Sequence, residues 1–143
     1  MKQTVKKGRH YTLNRMFPFG KISRIISIDE SCWHENSKGW SKLIGLTSIF
    51  IHKESIRLAF RPAKTKGKFK LAMYQYHKGE RKILELYEVN AGENITVYIN
   101  GYYWVINGIK YDYKARGCFI RANFYIGGNY KADKDCFILN NKN

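Results

Sequence analysis

The sequence predicts an all-β fold, a two-sheet, jelly-roll-like sandwich of about nine or ten strands. Three observations lead there. Short apolar–polar alternations dominate the chain, with no heptads and no sustained 3.6-residue period. Two Asn-Gly pairs, Asn100-Gly101 and Asn107-Gly108, stand five residues apart between runs of Tyr, Val and Ile. Asn-Gly supplies the positive φ angles of a type I′ turn, so each pair predicts a hairpin. Finally, 143 residues with 44% apolar side chains make one ordinary domain able to bury a core.

The strands follow in order. Lys21–Ile28 places Ile22, Ile26 and Ile28 on one face. Leu43–His52 is a longer apolar run, expected to be buried. Ser55–Arg61 alternates Ile56, Leu58 and Phe60 inward with Arg57 and Arg61 outward. Pro62–Gly67 is a basic turn. Lys68–His77 then sets Phe69, Leu71 and Met73 on one face and Lys70, Tyr74 and Tyr76 on the other. Lys78-Gly79-Glu80 is a turn, and Ile83–Val89 follows. The Asn-Gly pairs organise a meander of Ile95–Ile99, Tyr102–Ile106 and Ile109–Tyr113. Cys118–Ile126 is the next strand, broken by Gly127-Gly128, and Cys136–Leu139 closes the fold. A helix is expected, if anywhere, around Glu35–Leu43. Residues 1–16 read as a basic arm or an edge strand, and residues 17–143 as the sandwich.

Charge is the strongest pointer to a partner. Twenty-six Lys and Arg oppose eleven Asp and Glu, a formal charge of +15. Such an excess attracts polyanions. The first 28 residues hold seven basic side chains and no acid, and Lys53–Lys82 holds ten against Glu54 and Glu80. In the hairpin Ser55–His77, Arg57 and Arg61 share a side with Lys70, Tyr74 and Tyr76, while Lys64, Lys66 and Lys68 cluster at the turn. Cations neutralise phosphates and rings stack unpaired bases, so this face suits single-stranded RNA. The bland alternative is a solvated strand face whose lysines guard an edge. Lys6, Lys7 and Arg9 form a second basic cluster that suits a phosphate backbone or a loose terminus.

No reaction is legible. Cys32-Trp33-His34 lacks the four ligands of a zinc site and the orienting group of a nucleophilic triad. Cys118 and Cys136 lie in apolar runs and read as small core residues. Asp133-Lys134-Asp135 is too sparse for calcium. His10, His52 and His77 are scattered, and the acids are too dispersed for a metal-dependent nuclease. No phosphate-cradling glycine motif is present. Neither a catalyst, nor a metal, nor a cofactor is therefore expected, and no small-molecule substrate. Three cysteines suggest reduced thiols in a cytoplasm. No stretch reaches the roughly 20 apolar residues of a membrane span, and the first residues lack the apolar segment of a secretory leader. Lys38 and Gly39 before Trp40, with Tyr102, Tyr103 and Trp104, suggest an aromatic platform for sugar, although half of any alternating run faces the core.

The chain resembles small, lectin-like (concanavalin-like) β-sandwich proteins of Bacteroidetes phages and prophages. The residues that carry the resemblance are Lys7-Gly8-Arg9-His10-Tyr11, Asp29-Glu30-Ser31-Cys32-Trp33, Lys42-Leu43-Ile44-Gly45-Leu46, Ser55–Arg61, Tyr74–Arg81, Phe124–Gly128 and Asp135. The resemblance implies a jelly roll and a phage setting. That setting adds an expectation: a non-catalytic inhibitor, anti-CRISPR-like, acting in the bacterial cytoplasm on RNA or on a guide-RNA nuclease loaded with RNA. A glycan-binding lectin-like module is the alternative.

Overall fold

A computed structural model describes residues 1–13, 16–35, 39–127 and 131–143. The chain folds as a jelly-roll-like β-sandwich of two six-stranded antiparallel sheets. In chain order the strands are β1 (Lys2–Val5), β2 (Met16–Pro18), β3 (Ile22–Ile28), β4 (Ser41–Thr47), β5 (Glu54–Pro62) and β6 (Lys68–His77). They continue with β7 (Glu80–Asn90), β8 (Ile95–Ile99), β9 (Tyr103–Ile106), β10 (Ile109–Asp112), β11 (Phe119–Arg121) and β12 (Cys136–Lys142). The first sheet runs β1-β12-β3-β8-β9-β10, and the second β2-β11-β4-β5-β6-β7. One 3₁₀ turn, Glu30–Cys32, is capped by the Asp29 carboxylate, which accepts from Ser31 N.

The core lies between the sheets, where the alternation puts it. In the second sheet, pairing sets Leu58 opposite Met73 and Phe60 opposite Leu71, all buried. In the first, Ile26, Ile28, Val97, Ile99, Trp104 and Ile106 are buried. Phe60 packs edge-on against Phe69, with ring centroids 5.4 Å apart. Burying each large apolar side chain contributes roughly 1.5–3 kcal/mol.

Four expectations are corrected. Among the described residues there are twelve strands in place of nine or ten, the short Met16–Pro18 having no apolar alternation of its own. β1 is an edge strand, paired residue by residue with β12 from Lys2↔Leu139 to Val5↔Cys136. The run Leu43–His52 is strand only to Thr47. Ser48 Oγ then accepts from Phe50 N in a turn, and Ile49 and Phe50 are exposed. The run Cys118–Ile126 is strand only at Phe119–Arg121, and Cys118 is exposed. The two Asn-Gly pairs also differ. Asn107 and Gly108 take φ of 48° and 81°, as a type I′ turn needs. At Asn100-Gly101 neither residue has positive φ. There the Asn100 side chain closes the turn, its Oδ1 accepting from Tyr102 N at 2.8 Å and Tyr103 N at 3.0 Å. The helix expected around Glu35–Leu43 falls partly outside the described residues, and from Ser41 onward the chain is β4.

Candidate functional site

The site sits on the outer face of the second sheet. Chain geometry at β4 and β11 makes it. β4 pairs with β5 except for a register shift between Lys42 and Gly45. After β11 the chain continues beside β4, and Tyr125 pairs antiparallel with Lys42 through two backbone hydrogen bonds of 2.8 and 3.0 Å. Between these points lies Asn123. Its carbonyl oxygen accepts from Arg57 Nη2, and so does its Oδ1, at 3.1 Å. Arg57 Nε donates to the Leu43 carbonyl at 2.7 Å. Gly45 is required beneath this guanidinium. A Cβ there would stand 2.1 Å from Ile56 O and 2.6 Å from Arg57 Cγ.

The result is an open pocket of about 280 Å³. Its walls are aromatic: His52, Tyr74, Tyr76 and Tyr125. Tyr74 and Tyr76 meet edge to face at 5.9 Å, and His52 meets Tyr76 edge to face at 5.4 Å. Its charged lining is Lys42, Arg57 and Arg121, with no carboxylate among the lining residues. Lys42 Nζ lies 4.4 Å from the centroid of Tyr74 and 5.0 Å from that of Tyr125, a cation held between two ring faces. Arg121 Nε donates to Asn123 Oδ1 at 3.2 Å. Arg81 lies on β7 opposite Tyr76, and the Tyr74 hydroxyl beside it raises its guanidinium. Burial pulls the Lys42 ammonium down to about 8, reinforced by Arg57, Arg121 and Arg81. Burial likewise lowers Arg57 and Arg121. Glu54, on the same strand as Arg57, is committed elsewhere, to His77 at 3.0 Å and to the Arg116 backbone N–H at 2.9 Å.

The residues singled out from the sequence separate into four groups. Arg57, Tyr74 and Tyr76 meet in the pocket. Arg57 points outward as alternation requires, but it is only 5% exposed, with Nε and Nη2 spent on backbone and amide oxygens. Arg61 and Lys70 pair across β5 and β6 further along the same face, with Arg61 5.0 Å over the Trp40 ring. Lys64, Lys66 and Lys68 are exposed at the hairpin turn. Lys6, Lys7 and Arg9 follow β1 instead. Lys6 pairs with Asp135 at 3.5 Å, and Asp135 also accepts from the Lys7 backbone N–H. The aromatic platform does not assemble. Trp104 is buried in the first sheet, Tyr102 is exposed just before β9, Trp40 lies just before β4 of the second sheet, and Lys38 lies outside the described residues.

Sequence reasoning missed Lys42, Arg121, Tyr125 and His52. Lys42, Arg121 and Tyr125 each carried a local signal, since buried neighbours (Leu43, Ile120, and Phe124 with Ile126) turn them outward.

A second constellation is also nonlocal. His34 Nε2 lies 3.5 Å from Cys136 Sγ, and His34 Nδ1 lies 3.6 Å from the Asp133 carboxylate. The order Cys-His-Asp is that of a nucleophilic triad, but the chemistry opposes it. Cys136 is fully buried, and burial pushes its thiol up to about 11. Burial also pulls His34 down, against Asp133. A reactive cysteine needs the reverse: a lowered thiol and access. Among the described residues no group of three or more His, Cys, Asp and Glu side chains is placed to hold a metal ion, and no helix is long and apolar enough to cross a membrane.

Fold and site together describe a β-sandwich with a cationic, aromatic-walled pocket on one sheet face. No protein-family model matches the sequence, and no curated protein matches it. Among solved structures, the chain is similar to one titled as the carbohydrate-binding module CBM66 from Bacillus subtilis. The TM-score is 0.48 at 10% identity, over 99% of this chain and 92% of that one. No residue role passes across at that distance.

Proposed function

We propose that this protein is a binding module, without catalytic chemistry of its own, that holds a glycan on the outer face of its second sheet. The observation that carries the reading is the pocket between β4, β5, β6 and β11, walled by Tyr74, Tyr76, Tyr125 and His52. A concave site with aromatic walls and a few convergent polar groups is the usual form of a binding site. Sugar rings offer apolar C–H faces to such walls and hydroxyls to Ser55 and the guanidinium groups. The face of Tyr74 is taken by the Lys42 ammonium, which leaves Tyr76 and His52 as the walls for a ligand ring. The test is an oligosaccharide array followed by titration calorimetry of the compounds that bind. Tyr76→Ala should weaken binding of those compounds by about tenfold, the lower range for a lost aromatic contact. Unchanged affinity in that variant would remove the pocket as the glycan site.

The net charge supports a second reading. Arg61, Lys70 and the turn lysines Lys64, Lys66 and Lys68 make one end of the same sheet basic. On this reading the protein is a phage or prophage inhibitor of the anti-CRISPR kind, acting in the host cytoplasm on RNA or on an RNA-loaded nuclease. Binding to RNA whose affinity falls steeply with salt, and drops when Lys64, Lys66 and Lys68 become Gln, would favour it over the glycan.

A further inference from the structure

We propose that the pocket selects a sugar residue bearing an oxyanion, a carboxylate or a sulfate, which the cations of Lys42, Arg57 and Arg121 hold together. This rests on the glycan reading and narrows it. Three cations line one small cavity with no carboxylate beside them. Gathering like charges away from water is costly, and more so when no anion offsets them. The rings around Lys42 compensate that group in part. They do nothing for Arg57, whose described partners are all neutral oxygens.

The arrangement is also fixed in advance. Asn123 takes Arg57 Nη2 and Arg121 Nε on one side-chain oxygen, which locks two guanidinium groups as neighbours. Among the described residues no hydrogen bond reaches Arg57 Nη1. That nitrogen and the Lys42 ammonium remain as donors for a ligand. Guanidinium groups suit planar or tetrahedral oxyanions because their donors form a fixed fork. A neutral sugar would leave the like charges facing one another. An anionic one would cancel them in a setting of low dielectric, where each contact is stronger than in water.

A free inorganic anion presents the same chemistry, so the experiment separates the two sources. An array of neutral, uronate-bearing, sialylated and sulfated oligosaccharides is probed at physiological salt, with oligouridylate and inorganic sulfate as further ligands. Compounds that bind are titrated with the parent, with Lys42→Met/Arg121→Gln, and with the charge-matched control Lys21→Gln/Lys110→Gln on the other sheet. Circular dichroism confirms that each variant is folded. Acidic glycans alone should bind, and the pocket variant should lose about tenfold or more, the worth of a charge-assisted hydrogen bond. The control should stay within about twofold, as for exposed charges. If neutral glycans bind as tightly as acidic ones, or if both double variants lose equally, the oxyanion assignment is wrong and the glycan reading survives. Sulfate binding as tightly as the acidic sugars would also overturn it. Binding to oligouridylate but to no glycan would overturn both readings.

Discussion

Two basic regions share one sheet face, and they differ in what their charges cost. At the β5–β6 turn, Lys64, Lys66 and Lys68 stand in water, where their mutual repulsion is screened. In the pocket, Lys42, Arg57 and Arg121 are buried or half-buried against one another, and their proton affinities shift in consequence. The composition counts both regions alike. A cluster read from sequence locates positive charge. Only the fold locates the electrostatic energy, because the surrounding dielectric sets it.

The contrast breaks first at Gly45. A Cβ there meets the β5 backbone and Arg57 at distances no packing tolerates, so Gly45→Ala should lower stability by about 3 kcal/mol in denaturant titration. A loss under about 1 kcal/mol would show that the floor of the pocket can yield. Next in size is Arg57→Ala, which strips the Leu43 and Asn123 carbonyls of their donor. It should cost about 2 kcal/mol, while Lys64→Ala with Lys66→Ala should stay within about 0.5 kcal/mol. Equal effects from the two would erase the distinction between the regions.

The smallest effect sharpens the contrast by pH. The folded-state pKa of Lys42 is lowered from 10.5 to about 8. Between those values the unfolded chain binds the proton and the folded one does not, so Lys42 adds a rise in stability as pH climbs through that window. Below about pH 8 the group is charged in both states and its full penalty is present. Lys42→Met should therefore raise stability at pH 7 by about 1 kcal/mol and flatten the curve between pH 8 and 10. A variant less stable than the parent at pH 7 would show that the ring contacts outweigh burial.

Much of the sandwich was legible because alternation reports which side of a strand faces the core. It placed Ile56, Leu58 and Phe60 inward and Arg57 and Arg61 outward. Asn107-Gly108 was legible because its backbone does what the pair favours locally, whereas Asn100 closes its turn with a side-chain oxygen instead. β1 takes the edge-strand alternative read for residues 1–16, whereas β2 was not legible, since a strand of three residues at a sheet edge needs no apolar pattern. The pocket was the hardest to read. Alternation gives the outward side of Arg57 but not what meets its guanidinium, and Asn123 arrives there from 66 positions away. Lys42, Tyr74, and Arg121 with Tyr125 likewise come from three separate stretches of chain.

Asn123 has one consequence beyond geometry. The same amide oxygen that steadies the pocket's two guanidinium groups also ties the segment after β11 to β5, so the site and that part of the fold are held by one set of bonds. Whatever settles among those guanidinium groups binds the native chain and not the unfolded one. By mass action it adds about 2.7 kcal/mol at a hundred times its dissociation constant. The protein thus reports its own ligand: in a library of unlabelled compounds, the right one is found by heating, as the well that melts last.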